Sequence, residues 1–286
     1  MSTPVTRFAP SPTGRLHLGH AYSALLAHDL GRAAGGRFLL RIEDIDPGRT
    51  REAHVAGIEE DLRWLGLDWD GPVLRQSTRL PLYADALDEL RAMGLLYPCF
   101  CTRAEIAASA AAPHGPATNL YPGTCRALSP AERTERQATT PHAWRLDMAR
   151  AVARAGPLSW HDVEQGEVVA APGRLGDVVL ARKDAPVSYH LAVTIDDAAQ
   201  GVTDIVRGQD LFEATHVHRL LQALLGLPTP RYHHHRLLTD AGGRRLAKRD
   251  GAPTLAAARE AGVDPAALIK SLREGKLSVG IGAANP

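Results

Sequence analysis

The chain of 286 residues carries 33 lysines and arginines against 32 aspartates and glutamates, a formal net charge of +1, with 44% hydrophobic residues. That is enough apolar side chain to bury one main core with an insertion, and too little charge imbalance for a generally basic coat, so any nucleic-acid contact must be local. There is no run of about 18 apolar residues and no basic, apolar, small-residue leader pattern, so we expect a cytoplasmic monomer with no membrane segment.

Val5 to Ala9 reads as a short strand, Pro10, Pro12 and Gly14 force a turn, and Leu18, Tyr22, Leu25 and Leu26 begin a helical apolar stripe. His17 and His20 lie three apart and share a face of that helix start. The unpaired N–H groups there carry partial positive charge, and Gly19, lacking a Cβ, lets a flat ligand lie against the backbone, so an adenine with its phosphates fits this turn. The helix, read over about Ala21 to Ala34, ends at Gly35-Gly36, and Phe38 to Ile42 forms the next strand. Such a β-α-β unit builds a parallel sheet whose ligands sit beyond the carboxyl ends of the strands, where Arg7 to His17 and Glu43 to Asp46 fall. Glu43, Asp44 and Asp46 close the second strand, and alternation sets Glu43 opposite Asp44, so they do not share one role. Helices over Glu52 to Leu65 and Pro81 to Met93 cover the sheet.

The three cysteines, Cys99, Cys101 and Cys125, fall within 27 residues. A reducing compartment disfavours a disulfide, and a tetrahedral Zn2+ would need a fourth ligand, which His114 or Tyr121 can supply. Ala107 to Pro116 reads as a flexible loop. Strand-like runs Val178 to Ala181 and Leu191 to Ile195 resume the main domain. Gly242-Gly243 introduces a basic run, Arg244-Arg245-Leu-Ala-Lys248-Arg249.

The stretch Phe8-Ala-Pro-Ser-Pro-Thr-Gly-Arg-Leu-His17-Leu-Gly19-His20 resembles the first signature of the class I aminoacyl-tRNA synthetases in its glutamyl and glutaminyl form, and Arg245-Leu-Ala-Lys248-Arg249-Asp250 resembles their lysine loop, with Ala247 where serine is usual. The resemblance implies that His17, Gly19, His20 and Lys248 bind ATP, with His17, His20 and Lys248 catalytic. Phe8, Ala9, Pro10 and Ser11 would line the glutamate site. Glu43, in Arg41-Ile-Glu43-Asp44-Ile-Asp46, takes the role of binding the α-ammonium, while Arg7, Tyr189 and Arg207 hold the side-chain carboxylate. Two cations favour glutamate over neutral glutamine.

The spacing Cys99-x-Cys101 with Tyr121-x-x-x-Cys125 is similar to the zinc site of the short glutamyl-queuosine tRNA(Asp) synthetase family and implies Tyr121 as the fourth ligand of one structural Zn2+. Only 36 residues follow Asp250, too few for the anticodon-binding domain of an ordinary glutamyl enzyme, so the resemblance points to this short family. His20 stands where its members often carry serine or asparagine.

The expected fold is α/β, a Rossmann-like doubly wound parallel sheet. Residues 1–98 and 177–250 form the two halves of the catalytic domain, 99–176 a zinc-containing insertion and 251–286 a short helical segment. The implied activity is ATP- and Mg2+-dependent formation of glutamyl-adenylate without tRNA, and transfer of glutamate to the queuosine base of tRNA(Asp). Two alternatives are a transferase passing glutamate to another acceptor and a non-catalytic paralogue that binds amino acid or tRNA. The second is opposed by the intact His17, His20, Glu43, Arg207 and Lys248.

Overall fold

The computed structural model describes residues 3–33, 35–102, 104–106, 120–238 and 254–274. Strand β1 (Val5–Phe8) passes through the Pro10 turn into helix α1 (Leu18–Ala33), and the chain returns as β2 (Arg37–Ile42), parallel to β1 with Thr6 opposite Phe38 and Phe8 opposite Leu40. Helix α1 starts at Leu18, ahead of the expected Ala21, because the His17 ring accepts the Gly19 N–H at 3.1 Å and caps the first turn. Small residues seat α1 on the sheet: a Cβ on Gly31 would stand 2.9 Å from Thr6 Oγ1 and 3.0 Å from the Arg37 carbonyl oxygen. Phe38, Leu40 and Ile42 pack with Ile58 and Leu62 of α2 (Glu52–Trp64), and β3 (Leu74–Arg75) extends the sheet in parallel beyond β2.

The second parallel group joins β6 (Ser159–Asp162), β10 (Arg231–His235) and β9 (Asp204–Gly208), with β7 (Gly166–Val169) antiparallel at its edge. The two groups meet at Val5, whose carbonyl accepts the Thr203 N–H at 2.9 Å and whose N–H reaches the Thr203 hydroxyl at 2.8 Å. Further along, Arg7 Nη1 lies 3.5 Å from the Val206 carbonyl oxygen, so β1 and β9 run side by side in one direction. The carboxyl ends of β1, β2, β9 and β10 therefore open on a common rim, the usual place for a ligand in a doubly wound sheet.

One expected strand is a helix. Leu191 to Ile195 lie within α6 (Tyr189–Ala199), where Leu191 and Ala192 are buried against Tyr83 and Leu87 of α3 (Leu80–Ala92) and Val217 and Leu220 of α7 (Phe212–Leu224). A five-residue apolar run enclosed on several sides looks the same in either state, and here tertiary packing decides.

A separate antiparallel sheet pairs β4 (Leu96–Cys99) with β5 (Ala143–Leu146) and β5 with β8 (Val179–Ala181). Helices α4 (Pro130–Thr139) and α5 (Met148–Ala155) flank β5 in the chain. Sheet pairing crosses the boundaries drawn at 99 and 176. β6, before residue 176, joins the parallel group, whereas β8, after it, joins the antiparallel sheet. Helices α8 (Leu255–Glu260) and α9 (Pro265–Arg273) are tied back by Arg259 to Asp61 at 2.8 Å and Arg273 to Asp29 at 2.7 Å. Among the described residues no helix is long and apolar enough to cross a membrane.

Candidate active site

A cavity of about 460 Å3 opens on the common rim. Arg7, Phe8, Ala9, Pro10 and Ser11 line it from β1 and the following turn, and His17, Gly19 and His20 from the start of α1. Glu43 enters from the end of β2, Tyr189 from the first turn of α6 and Arg207 from β9. The Glu43 N–H donates to the Pro10 carbonyl at 3.0 Å, which holds the turn against the strand end. Asp44 and Asp46 turn elsewhere: Asp44 is buried, accepting from Ser77 N–H and Arg75 Nε at 2.8 Å each, and Asp46 meets Arg182 at 3.3 Å.

The His17 and His20 rings lie against each other, centroids 3.8 Å apart and tilted by 32°, and His20 Nδ1 accepts the His17 N–H at 3.2 Å. Thr254 forms a β-bridge with His17, and the Leu255 N–H donates to the Leu16 carbonyl at 2.9 Å. Leu238 also lines the cavity. Residues 239–253, which include Arg245, Ala247 and Lys248, lie outside the described residues, but the described chain on either side ends at this site.

The two arginines assigned to one anionic ligand have different surroundings. Arg7 Nε and Nη2 grip the Asp197 carboxylate at 2.9 and 3.3 Å, and Asp197 also receives Arg41 Nη1 at 2.8 Å. Arg41 is completely buried, with Gln200 Oε1 at 2.9 Å and Glu43 Oε1 at 3.4 Å from its fork. Arg207 instead donates to His234 Nε2 at 3.1 Å, His218 Nδ1 at 3.2 Å, the Tyr189 hydroxyl at 3.5 Å and the Thr215 hydroxyl. Burial pushes the Glu43 carboxyl up to about 7, against the pull of Arg41 and Arg7. The cavity thus combines a helix start suited to phosphates, a carboxylate suited to an ammonium and a cation suited to an anionic side chain.

Local pattern did not reveal Asp197, Arg41, His218, His234 or Thr215. Asp197 lies 190 residues from Arg7, and the only local hint for β10 was the unusual run His233-His234-His235.

In the second cluster Cys99, Cys101 and Cys125 place their sulfurs within 4.8 Å of one another. Cys101 Sγ is 3.5 Å from Cys125 Sγ and 3.6 Å from the Tyr121 hydroxyl. Thiolates at the zinc–sulfur bond length of a tetrahedral site would stand about 3.8 Å apart, so the set fits Zn2+ with little movement. The Arg145 guanidinium lies 3.9 Å over the Tyr121 ring, but burial and the neighbouring thiols hold the phenol well above its usual range, so a bound cation would have to displace its proton. His114, the other candidate ligand, lies outside the described residues.

Residues 4–280 match the family model for the catalytic domain of class I tRNA synthetases (E and Q). A glutamyl-Q tRNA(Asp) synthetase of Rhodobacter capsulatus is 53% identical over 272 residues, covering 92% of this chain and 97% of the relative. One from Symbiobacterium thermophilum is 46% identical over 93% of this chain and 84% of its own length. Among solved structures, the glutamate-tRNA synthetase of Elizabethkingia anophelis superposes with a TM-score of 0.79 at 28% identity, covering 95% of this chain and 61% of that longer one.

Proposed function

Because the chain belongs to the class I tRNA synthetase family of the glutamyl and glutaminyl type, we propose that it is a ligase that activates L-glutamate with ATP and transfers it to the queuosine base of tRNA(Asp). The observation that carries the activation step is the convergence of His17, His20, Glu43 and Arg207 on one cavity. The carrier of the acceptor assignment is likeness to relatives of that name over 97% and 84% of their length.

Activation joins the glutamate α-carboxylate to the ATP α-phosphate and expels pyrophosphate, so the protein has to align the attack and neutralise phosphate charge, and no protein nucleophile is required. His17 and His20 with the α1 start hold phosphates, and Lys248 stabilises the departing pyrophosphate. Mg2+ bound with ATP would add to the neutralisation of phosphate charge. Glu43 binds the α-ammonium and Arg207, with Tyr189, the side-chain carboxylate. Arg7 supports this positive wall while anchored to Asp197. The expected signature is ATP–pyrophosphate exchange driven by glutamate without tRNA, and an equal response to glutamine would overturn the assignment of Arg207.

Glu43 makes the binding step pH-dependent. Its carboxyl titrates near 7 in the free site, and only the ionised form, above that value, pairs with the ammonium. kcat/KM for glutamate is therefore expected to fall about tenfold from about pH 8 to about pH 6. A flat profile over that range would remove Glu43 from ammonium binding.

Cys99, Cys101, Tyr121 and Cys125 would hold one structural Zn2+, stapling the start of the region that follows β4. Burial pushes the Cys101 thiol up to about 11, so gathering deprotonated sulfurs here calls for a cation. Purified protein is expected to contain about one zinc per chain and to melt at lower temperature after chelation. Metal-free protein whose melting a chelator leaves unchanged would contradict the site.

A further inference from the structure

Arg207 is 95% buried, and every hydrogen-bond partner found for it among the described residues is neutral. Arg7, its neighbour across the cavity, is by contrast bound to a carboxylate. A guanidinium has donors only, so each ring nitrogen facing Arg207 must be a bare acceptor. His234 then carries its proton on Nδ1, 2.7 Å from Asp162 Oδ2. His218 carries its proton on Nε2, 3.2 Å from His190 Nδ1.

The outer members of both relays are themselves fixed. Asp162 also accepts the N–H groups of Glu164 and Gln165 at 3.0 and 3.1 Å. The Thr194 hydroxyl bonds the His190 carbonyl at 2.8 Å, inside α6. Burial, reinforced by the Arg207 charge, holds His190 and His234 near about 4 and His218 far below its ordinary range. None of the three rings is charged at neutral pH, and none supplies a countercharge.

We infer that His218 and His234 are positioning residues that set substrate charge specificity: as neutral acceptors they fix the Arg207 fork while leaving its positive charge uncompensated for an anionic side chain. The inference rests on the reading of Arg207 as the receiver of the glutamate carboxylate. A carboxylate in place of either ring would hold the fork equally well in geometry but would cancel the charge the ligand needs. A neutral acceptor leaves glutamate as the only carboxylate partner, and a glutamine amide would leave the buried charge unpaired.

Two measurements test this. Nitrogen NMR of the imidazoles in the free, unsubstituted chain is expected to show both rings neutral at about pH 6.5, His218 as the Nε2–H tautomer and His234 as the Nδ1–H tautomer. A charged ring or the opposite tautomer would overturn the inference whatever the substrate proves to be. The second measurement compares His218→Asn, which keeps a neutral acceptor at the Nδ1 position, with the isosteric His218→Asp, which puts a carboxylate there. In glutamate-driven pyrophosphate exchange the aspartate variant is expected to show a KM for glutamate about tenfold or more above that of the asparagine variant, with similar kcat and similar KM for ATP. Equal KM values in the two variants would reduce His218 to a packing role. Failure of the underlying reading would appear separately, as unsubstituted protein with ordered tautomers but no glutamate-dependent exchange.

Discussion

Replacing Arg207 by alanine is expected to lower kcat/KM for glutamate by about a thousandfold in ATP–pyrophosphate exchange, with most of the loss in KM. Among the described residues the Arg207 guanidinium has only neutral hydrogen-bond partners, so its removal takes away the uncompensated cation proposed to receive the glutamate carboxylate. Arg7 is a poorer substitute, because its charge is already balanced by Asp197, which takes its Nε and Nη2. Arg207→Lys is expected to recover little. A single ammonium cannot meet His234, His218, Thr215 and the ligand together as a planar fork does. The KM for ATP should move by no more than about twofold, since the hydrogen-bond partners of Arg207 among the described residues lie on β10, α6 and α7 rather than in the His17 to His20 turn. A drop of threefold or less in kcat/KM for glutamate would show that the carboxylate is held elsewhere.

Asp197→Ala is expected to destabilise the fold by about 3–5 kcal/mol, lowering the melting temperature by about 10 °C. The side chain is buried and is the shared counterion of Arg7 and Arg41, both buried as well. Arg7 and Arg41 hold the Asp197 carboxyl below the usual carboxylate range against the effect of burial. Deleting it leaves two guanidinium groups short of a countercharge in the interior, where Arg41 keeps, among the described residues, Gln200, Glu43 and a distant contact to Asp196 at 4.0 Å. Asp197→Asn keeps oxygen and shape but not charge, so it should fall between the two. Thermal unfolding followed by circular dichroism checks the order, and a shift of about 2 °C or less for the alanine variant would contradict it.

The cavity was legible in the sequence where its chemistry is local. The turn from Arg7 to His20 announces itself through two prolines, two glycines and two histidines ahead of an apolar stripe, and Glu43 ends a strand of plain β character. Tyr189 and Arg207 have no such local signal and were reached through resemblance to a family. Their surroundings were hidden for a physical reason. Asp197 meets Arg7 and Arg41 only after the chain has wound through both halves of the sheet. His234 sits in a strand, Arg231-Tyr-His-His-His235, whose polar residues conceal its burial until Asp162 and Arg207 satisfy both nitrogens of its ring. Leu191 to Ile195 misled for the opposite reason, since their apolar character was plain but does not tell a buried helix from a buried strand. The insertion boundaries depended on which strands pair, and β6 and β8 pair across them in a way spacing alone does not encode.

The acceptor is tested most directly by supplying radiolabelled glutamate and ATP with two preparations of tRNA(Asp), one carrying queuosine and one lacking it. Label is expected on the queuosine-bearing tRNA alone, bound to the anticodon-loop fragment after nuclease digestion. Equal labelling of both preparations, or label at the 3′ end, would contradict transfer to the modified base.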